Sequence, residues 1–376
     1  MNASVAGMLH RQQDITQSVQ ALLGQMTLAE KIGQMSQVEA SHGYAPEYLG
    51  DRLRAGLIGS VINVVDVNIL NELQRIAVDE SRLGIPLLIG RDVIHGFKTV
   101  LPIPLGQAAT WNPALVEEGA RVAALEAAKS GVNWTFAPMI DISRDARWGR
   151  IAESYGECVL LTSQLGAATI RGFQGDDLAT NGSIAACAKH FAGYGAVESG
   201  RDYATTNIAD TKLRNVYFRP FNAAVDAGVA TLMTSFSDLN GIPATGNRYI
   251  LTDVLRGEWG FEGFVVSDWD SVRQLQIHGL TENDRESAYE ASTAGVDMEM
   301  AGDAYSNHLL ALVEEGRVSE ESIDDSVASI LRVKFELDLF DNPYTDPESL
   351  PEFANEHALQ VAKEAALQSV VLLKND

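Results

Sequence analysis

Short apolar runs alternate with stretches of helical periodicity along most of this chain. The apolar runs cover residues 58–63, 85–90, 132–137, 184–190, 230–235, 263–268 and 295–300. Helical patterns lie between them, for example at residues 68–81, 113–130, 160–173, 213–227 and 285–293. Strands that are apolar on both faces predict a parallel sheet covered by helices. Seven strands with room for an eighth predict an α/β fold of the (β/α)8 TIM-barrel type, with room for irregularity at its N-terminal end.

A doubly wound open sheet is the alternative fold. It would be expected to carry a glycine fingerprint after its first strand, and residues 56–59 do not form one. Near the N-terminus, Thr27 and Glu30 form a capping-box pattern that predicts a helix from there to about Val38.

The pattern changes after residue 340. A helix is predicted over 319–340, then a proline-containing linker over 341–347, a second helix over 355–369, and an apolar core strand over 370–374. We therefore predict a barrel domain over 1–340. Residues 341–376 are interpreted as a linker, a helix and the first strand of a C-terminal domain that is otherwise absent.

Composition excludes several classes of function. The 376 residues are 46% hydrophobic, which is enough for a large core, and the formal net charge of −23 argues against a nucleic acid or an anionic membrane as partner. The two cysteines form neither a disulfide framework nor a metal-binding pair. No apolar run is long enough to span a membrane. The N-terminus lacks the apolar region of a signal peptide, so we expect a cytoplasmic protein, or a periplasmic or secreted one if a leader was removed.

Charged and aromatic residues follow the predicted strands. Since parallel strands end at the same edge of a sheet, these residues are expected to line one pocket, suited to a ligand covered in hydroxyl groups. They are Arg91, Asp92, His95, Arg144, Asp145, Arg147, Trp148, Arg150, Lys189, His190, Ser235, Phe236, Asp268 and Trp269.

Three of these positions have simple structural alternatives. Asp92 could cap a helix, and Arg147 or Arg150 could pair with Glu153 or Glu157 to brace a loop.

Three other positions have alternatives too. Lys189 could be the Schiff-base lysine of a barrel aldolase, His190 a satisfied core histidine, and Trp269 part of the packing at the barrel rim.

Six segments carry a family resemblance over nearly the whole chain. The chain resembles the N-terminal barrel of glycoside hydrolase family 3, the β-glucosidase and exo-β-glucanase group. The segments are MTLAEKIGQM at 26–35, DVIHG at 92–96, KTVLPIPLG at 98–106, RWGR at 147–150, KHF at 189–191 and VSDW at 266–269. Their order and spacing are far more specific than any one of them.

The resemblance implies a role for each matching position. Asp268 corresponds to the nucleophile of the family, and Trp269 to an aromatic wall on the leaving-group side. The residues implied to bind the sugar are Asp92, Arg150, Lys189, His190 and Met233. Lys189 and Arg150 are expected to keep Asp268 ionised, because nearby cations favour a carboxylate.

Three departures from the family pattern bear on function. Phe236 stands where many members have a tyrosine, and Cys158 where an aspartate is usual, so a hydrogen bond is expected to be lost at each. The loop over 192–203 lacks the histidine that serves as general acid in N-acetylglucosaminidases of the family. The loop instead resembles that of the two-domain glucosidases, which implies that the acid is a glutamate of the second domain, with Glu198 as a weaker candidate.

These observations predict a retaining exo-acting β-glycosidase that needs no cofactor and no metal. Its expected partners are β-glucosides or β-gluco-oligosaccharides, and a C-terminal domain present in the same chain or as a separate one. Alone, these residues are expected to be weakly active or inactive, because protonation of the leaving group contributes about 10²–10⁴-fold. The alternatives are a non-catalytic or partner-dependent sugar-binding barrel, a β-N-acetylglucosaminidase or β-xylosidase of the same family, and an aldolase centred on Lys189.

Overall fold

The computed structural model of the chain describes residues 3–40 and 45–375. Within these residues, parallel strands form a curled α/β fold. The strands are β1 Ser36–Glu39, β2 Ser60–Ile62, β3 Leu88–Arg91, β4 Trp134–Thr135, β5 Cys187–Phe191, β6 Thr231–Thr234, β7 Asp238–Leu239, β8 Ile242–Pro243, β9 Phe264–Val266 and β10 Glu299–Met300.

Eight of these described strands belong to two parallel sheets. One sheet has the order β10-β1-β2-β3-β4, and the other has the order β5-β6-β9. Isolated parallel bridges join the two sheets: Trp134 pairs with Ala185, and Val266 pairs with Met298. The remaining strands, β7 and β8, form a short antiparallel hairpin in the loop that follows β6.

Helices alternate with the strands and pack against them. They are α1 Ala3–Leu23, α2 Leu28–Gln34, α3 Ala45–Arg54, α4 Val67–Asp79, α5 Pro104–Ala109, α6 Pro113–Lys129, α7 Val159–Gln174, α8 Asp210–Lys212, α9 Arg219–Asp226, α10 Asp284–Ala294, α11 Ala304–Glu314, α12 Glu320–Glu336 and α13 Glu356–Gln368. Two π-helical segments, Leu213–Tyr217 and Tyr249–Glu258, and several 3₁₀ turns complete the connections. The alternation that the apolar pattern predicted is therefore present.

The curled sheet encloses an aromatic core. Trp134 on β4 contacts Phe264 on β9, with ring centroids 5.1 Å apart, although β4 and β9 are not neighbours in either sheet. The indole N–H of Trp134 also donates to the hydroxyl of Thr231 on β6 at 2.9 Å, so this buried polar group is satisfied. These contacts cross the interior of the curled sheet and connect its two parts.

The first strand corrects one prediction. The capping box at Thr27 is formed as expected, with the Thr27 hydroxyl accepting from the amide of Glu30. The helix, however, ends at Gln34 rather than near Val38, and Ser36–Glu39 is β1. Pairing with β2 and β10 on both sides decides this segment, because it satisfies the backbone groups that a helix would otherwise have used.

The segment after α12 lies on the barrel-like body. The ammonium of Lys129 donates to the carbonyl oxygens of Pro347 and Leu350, at 2.6 and 3.2 Å. Helix α13 packs on α6 through a small apolar cluster that includes Leu115, Val122 and Val361. The strand predicted over 370–374 is not formed, because no described strand lies beside it, and its four apolar side chains are exposed.

Candidate active site

A bulge in β5 brings two consecutive side chains to the site. Ala188 pairs with Leu232 and Phe191 pairs with Thr234, so β5 has two residues between these pairs where β6 has one. A bulge of this kind re-aims side chains that would otherwise alternate between the two faces. Lys189 and His190 are both buried and both contact carboxylates of the site.

Asp268 follows β9 with one oxygen tied down and the other open. Its Oδ1 accepts the backbone N–H of Trp269 at 2.7 Å. Its Oδ2 is buried without a hydrogen-bond partner among the described residues, 3.4 Å from Nε2 of His190. The open oxygen therefore faces the other polar groups of the site.

The pKa of Asp268 is raised to about 6. Burial is the largest cause, and it outweighs Lys189, the Trp269 amide and Arg150, which all lower the pKa. Lys189 and Arg150 do favour the ionised carboxylate, as expected, but their effect on the pKa is smaller than that of burial. The group is still mostly ionised at pH 7, but it titrates close to neutrality.

Lys189 forms an ion pair with Asp92, at 2.7 Å between Nζ and Oδ1. Burial is the largest influence and lowers the pKa of Lys189, yet the pKa is raised overall, with Asp92 the main cause of the increase. A Schiff-base lysine needs a neutral amine, so this environment is wrong for the aldolase alternative. The next helix after Asp92 begins only at Pro104, which rejects the helix-cap alternative as well.

Arg150 forms an ion pair with Glu153, which the sequence suggested only as a partner that braces the loop. It lies in a 3₁₀ turn, Gly149–Glu153, and donates two hydrogen bonds to Glu153 at 2.8 and 3.0 Å. Its guanidinium lies 5.6 Å from the ring centroid of Tyr194. Arg147 instead pairs with Asp145 on the surface. The predicted pairing with Glu153 is therefore found for Arg150, whereas Arg147 has a different partner, and of the two arginines only Arg150 influences the pKa of Asp268.

Asp141 is the residue that sequence reasoning missed. It is buried in the loop after β4, and one oxygen, Oδ2, accepts the backbone N–H of His190 at 3.0 Å and lies 2.8 Å from Nδ1 of its ring. The alternative of a satisfied core histidine is thus half correct, because Nδ1 has a partner while Nε2 has no hydrogen-bond partner within residues 3–40 and 45–375. A signal was available, since an aspartate between Ile140 and Ile142 is an unusual charge in an apolar run.

Aromatic side chains stand around these polar groups. Trp269 is 42% exposed at the rim, whereas Met233 is buried within the hydrophobic core cluster. The ring of Phe236 packs against Tyr203, with centroids 4.6 Å apart, and has no hydroxyl to offer. Cys158 stands at the N-cap position of α7 without a side-chain cap hydrogen bond, so the hydrogen bond expected to be lost is a helix cap.

A cavity of about 280 Å³ lies beside Asp92 and Glu153. Glu198, the weaker candidate for the acid, is exposed and accepts a hydrogen bond from Asn207 at 2.9 Å. In the part of the chain that the structure describes, no cluster of side chains could hold a metal ion, and no helix is both long and apolar enough to cross a membrane.

Comparison with known proteins identifies the family. Residues 27–333 match the glycosyl hydrolase family 3 N-terminal domain. The chain belongs to glycosyl hydrolase family 3. The resemblance seen in the sequence motifs is therefore confirmed.

Relatives in this family include β-glucosidases and a β-xylosidase. A periplasmic β-glucosidase of Salmonella typhimurium is 40% identical over 94% of this chain and 47% of its own length. A putative β-xylosidase of Formosa agariphila is 36% identical over 96% of this chain and 51% of its own. The structure of a mutant β-glucosidase of Listeria innocua in complex with laminaribiose has a TM-score of 0.91 at 39% identity, covering 96% of this chain and 52% of that one. The chain thus spans about half the length of these relatives.

Proposed function

We propose that this chain carries the sugar site and the nucleophile of a retaining exo-β-glycosidase that acts on β-glucosides or β-gluco-oligosaccharides. One observation carries the proposal: Asp268 presents an unpartnered carboxylate oxygen, Oδ2, beside a buried cation and a buried imidazole. An anion that titrates near pH 6 is ionised at neutral pH and poorly solvated, which suits a nucleophile.

The reaction would proceed in two displacements. Oδ2 of Asp268 bonds to the anomeric carbon while the bond to the leaving oxygen breaks and that oxygen takes a proton from the general acid. Water then attacks the same carbon, gives its proton to the conjugate base of that acid, and releases Asp268. A retaining glycosidase needs its two carboxyl groups about 5–5.5 Å apart.

The other site residues would bind the sugar. Asp92, half exposed, has an oxygen available to accept two neighbouring hydroxyl groups, and Lys189 beside it is a donor. Arg150 and His190 would hold further hydroxyls, and Trp269 would stack on the leaving group at the rim. Met233 is proposed as part of the pocket wall only because a pocket methionine is common at this position in the family.

We also propose the larger architecture. The bridges between the two sheets support a closed (β/α)8 barrel over residues 1–340. The second domain, beginning within 341–376, would supply the acid-base glutamate, in the same chain or as a separate one. Its support is the exposed apolar run over 370–373, together with the longer relatives.

A covalent trap tests the nucleophile. The chain is incubated with 2,4-dinitrophenyl 2-deoxy-2-fluoro-β-glucoside, whose leaving group needs little protonation, and the adduct is located by peptide mass spectrometry. We expect one adduct, on Asp268, that is absent from Asp268→Asn and present in Asp270→Asn, the matched control at the next carboxylate. An adduct on another peptide, or one that survives in Asp268→Asn, would remove the assignment.

Substrate class is tested by comparing aryl glucosides with the alternatives. The Formosa relative favours β-xyloside as the second candidate. Aryl β-glucoside, β-xyloside and β-N-acetylglucosaminide are compared with and without an added second-domain polypeptide. Sugar binding without any turnover in either condition would support the non-catalytic alternative instead.

The compartment is a separate proposal. The name of the Salmonella relative supports the periplasm for this chain. Cell fractionation of the expressed full-length protein would test it, and recovery in the cytoplasmic fraction would contradict it.

A further inference from the structure

His190 is locked in place from one side only. Its ring and its backbone N–H both contact the same oxygen, Oδ2 of Asp141, at 2.8 and 3.0 Å. Asp141, His190 and Tyr194 are all buried, and the ring of Tyr194 packs edge-on against the imidazole, with centroids 5.2 Å apart. The imidazole therefore cannot turn, and its Nε2 must face Asp268.

The facing pair would be unfavourable if neither atom carried a hydrogen. Nε2 of His190 and Oδ2 of Asp268 lie 3.4 Å apart, and neither has a hydrogen-bond partner among the described residues. If the ring hydrogen were on Nδ1, Nε2 would be a lone pair pointing at a carboxylate in a low-dielectric site. A hydrogen on Nε2 turns the same geometry into a donor and an acceptor.

The surrounding charges leave two carboxyls of the site without a cation. Lys189 is paired with Asp92, and Arg150 with Glu153. These four charged groups balance, which leaves Asp141 and Asp268 as two buried carboxyls without a dedicated cation. Burying both as anions is costly, and one proton shared in this cluster removes half of that charge.

We propose that Asp141 is a positioning residue that holds a proton in the Asp141–His190 pair, so that, while no sugar is bound, Nε2 of His190 donates to Oδ2 of Asp268. The hydroxyl of the protonated Asp141 carboxyl donates to Nδ1, and the oxygen of that hydroxyl accepts the backbone N–H of His190. The inference rests on the proposed function, because it concerns the ionisation of the proposed nucleophile.

The titration behaviour of the three groups is consistent with this arrangement. Burial raises the pKa of Asp141 to about 8, against about 6 for Asp268. Burial, with Arg150 and Lys189, lowers the pKa of His190 well below 6.5, so the ring is neutral. At pH 7 the proton is therefore held at the Asp141 end, and Asp268 is the ionised carboxyl.

Asp141→Asn reverses the hydrogen-bond direction. In the wild type, one atom, Oδ2 of Asp141, contacts both the backbone N–H and Nδ1 of His190. In the variant the amide oxygen must occupy this position, because only an acceptor can bind the backbone N–H. That oxygen can also bind Nδ1 only if Nδ1 carries the ring hydrogen. Nε2 then becomes a lone pair facing Asp268. Loss of a hydrogen bond to a charged group is expected to raise the pKa of Asp268 by about one unit or more.

The experiment follows the rate of covalent labelling by the 2-fluoroglucoside as a function of pH. In the wild type we expect the rate to fall below a midpoint near pH 6. In Asp141→Asn the midpoint should move up by about one pH unit or more, giving about tenfold slower labelling below both midpoints. Asp297→Asn is the matched control, because Asp297 is equally buried but binds Arg256 and the Val265 amide away from the site. Its midpoint should not move, even if its melting temperature falls.

Two results separate this inference from the proposed function. No labelling of the wild type at any pH would refute the function itself. Labelling of both proteins with the same midpoint would overturn the role of Asp141 alone.

A second measurement needs no Asp141 variant. The chain has seven histidines, and nitrogen-15 NMR of histidine-labelled protein, with the His190 signals assigned by their loss in His190→Gln, reports the tautomer. A hydrogen on Nε2 supports the proposal. A lone pair on Nε2 in the wild type overturns it, whatever the variants do.

Discussion

Glu126 lies on α6, where a charged side chain would ordinarily be solvated, yet it is buried. Its Oε2 accepts the backbone N–H groups of Lys98 and Thr99 at 2.8 and 2.7 Å. Its Oε1 accepts the Thr99 hydroxyl at 2.7 Å and the backbone N–H of Ala354 at 3.0 Å. One carboxylate therefore ties the loop after β3 and the segment after α12 to the same helix.

We predict that Glu126→Gln lowers the free energy of unfolding by about 3 kcal/mol. The amide can keep its oxygen on Lys98 and Thr99, where two bonds to a charged acceptor become neutral at a cost of about 1 kcal/mol each. Its NH₂ group then faces the Thr99 hydroxyl, which can rotate to accept, and the Ala354 N–H, which cannot. A buried donor left without an acceptor costs about 1–3 kcal/mol, so the sum lies at about 3–5 kcal/mol and its lower end is the safer expectation.

Urea unfolding followed by circular dichroism measures this change, and hydrogen exchange of peptides around Ala354 locates it. Glu117→Gln is the control on the same helix, because Glu117 forms an exposed pair with Arg171 that is worth at most about 1 kcal/mol. If Glu126→Gln unfolds within about 0.5 kcal/mol of the wild type, or if exchange near Ala354 is unchanged, the reasoning about this carboxylate is refuted.

Three further predictions concern single side chains. Cys158→Asp should supply the missing cap of α7 and raise the free energy of unfolding by about 1 kcal/mol, whereas Cys158→Ala should not; equal effects in urea unfolding would contradict this. Burial raises the pKa of Glu299 to about 7, so the folded state binds this proton more tightly than the unfolded chain, and the contribution of Glu299 to stability falls as pH rises from about 4.5 to 7. The stability of Glu299→Gln relative to wild type should therefore improve between pH 5 and pH 8. A constant difference would reject the pKa shift. Burial lowers the pKa of Lys334 to about 7, so here the unfolded chain binds the proton more tightly than the folded state. The stability of the wild type relative to Lys334→Met should therefore rise between pH 7 and pH 10. A flat or falling difference would show that the buried amine keeps its usual pKa.

Local signals predicted the parts of the fold that depend on near neighbours. The Thr27 capping box, the β9 strand and the helices around α6 and α7 follow from short-range hydrogen bonding and apolar periodicity. The prediction over 35–38 was wrong because Ser36–Glu39 becomes a strand only where β2 and β10 are present to pair with it. The same reasoning explains 370–374, which has strand propensity and no described partner.

By itself, the sequence determined that charged and aromatic side chains would end several parallel strands and so meet at one edge, because side-chain period and strand direction are local properties of the backbone. Only the tertiary structure decided which partner each of them has. In the site, these pairs join residues that are 49 positions apart for Asp141 and His190 and 97 positions apart for Asp92 and Lys189. Burial then sets which carboxyl keeps its proton, and burial belongs to the packed molecule rather than to any segment of the chain.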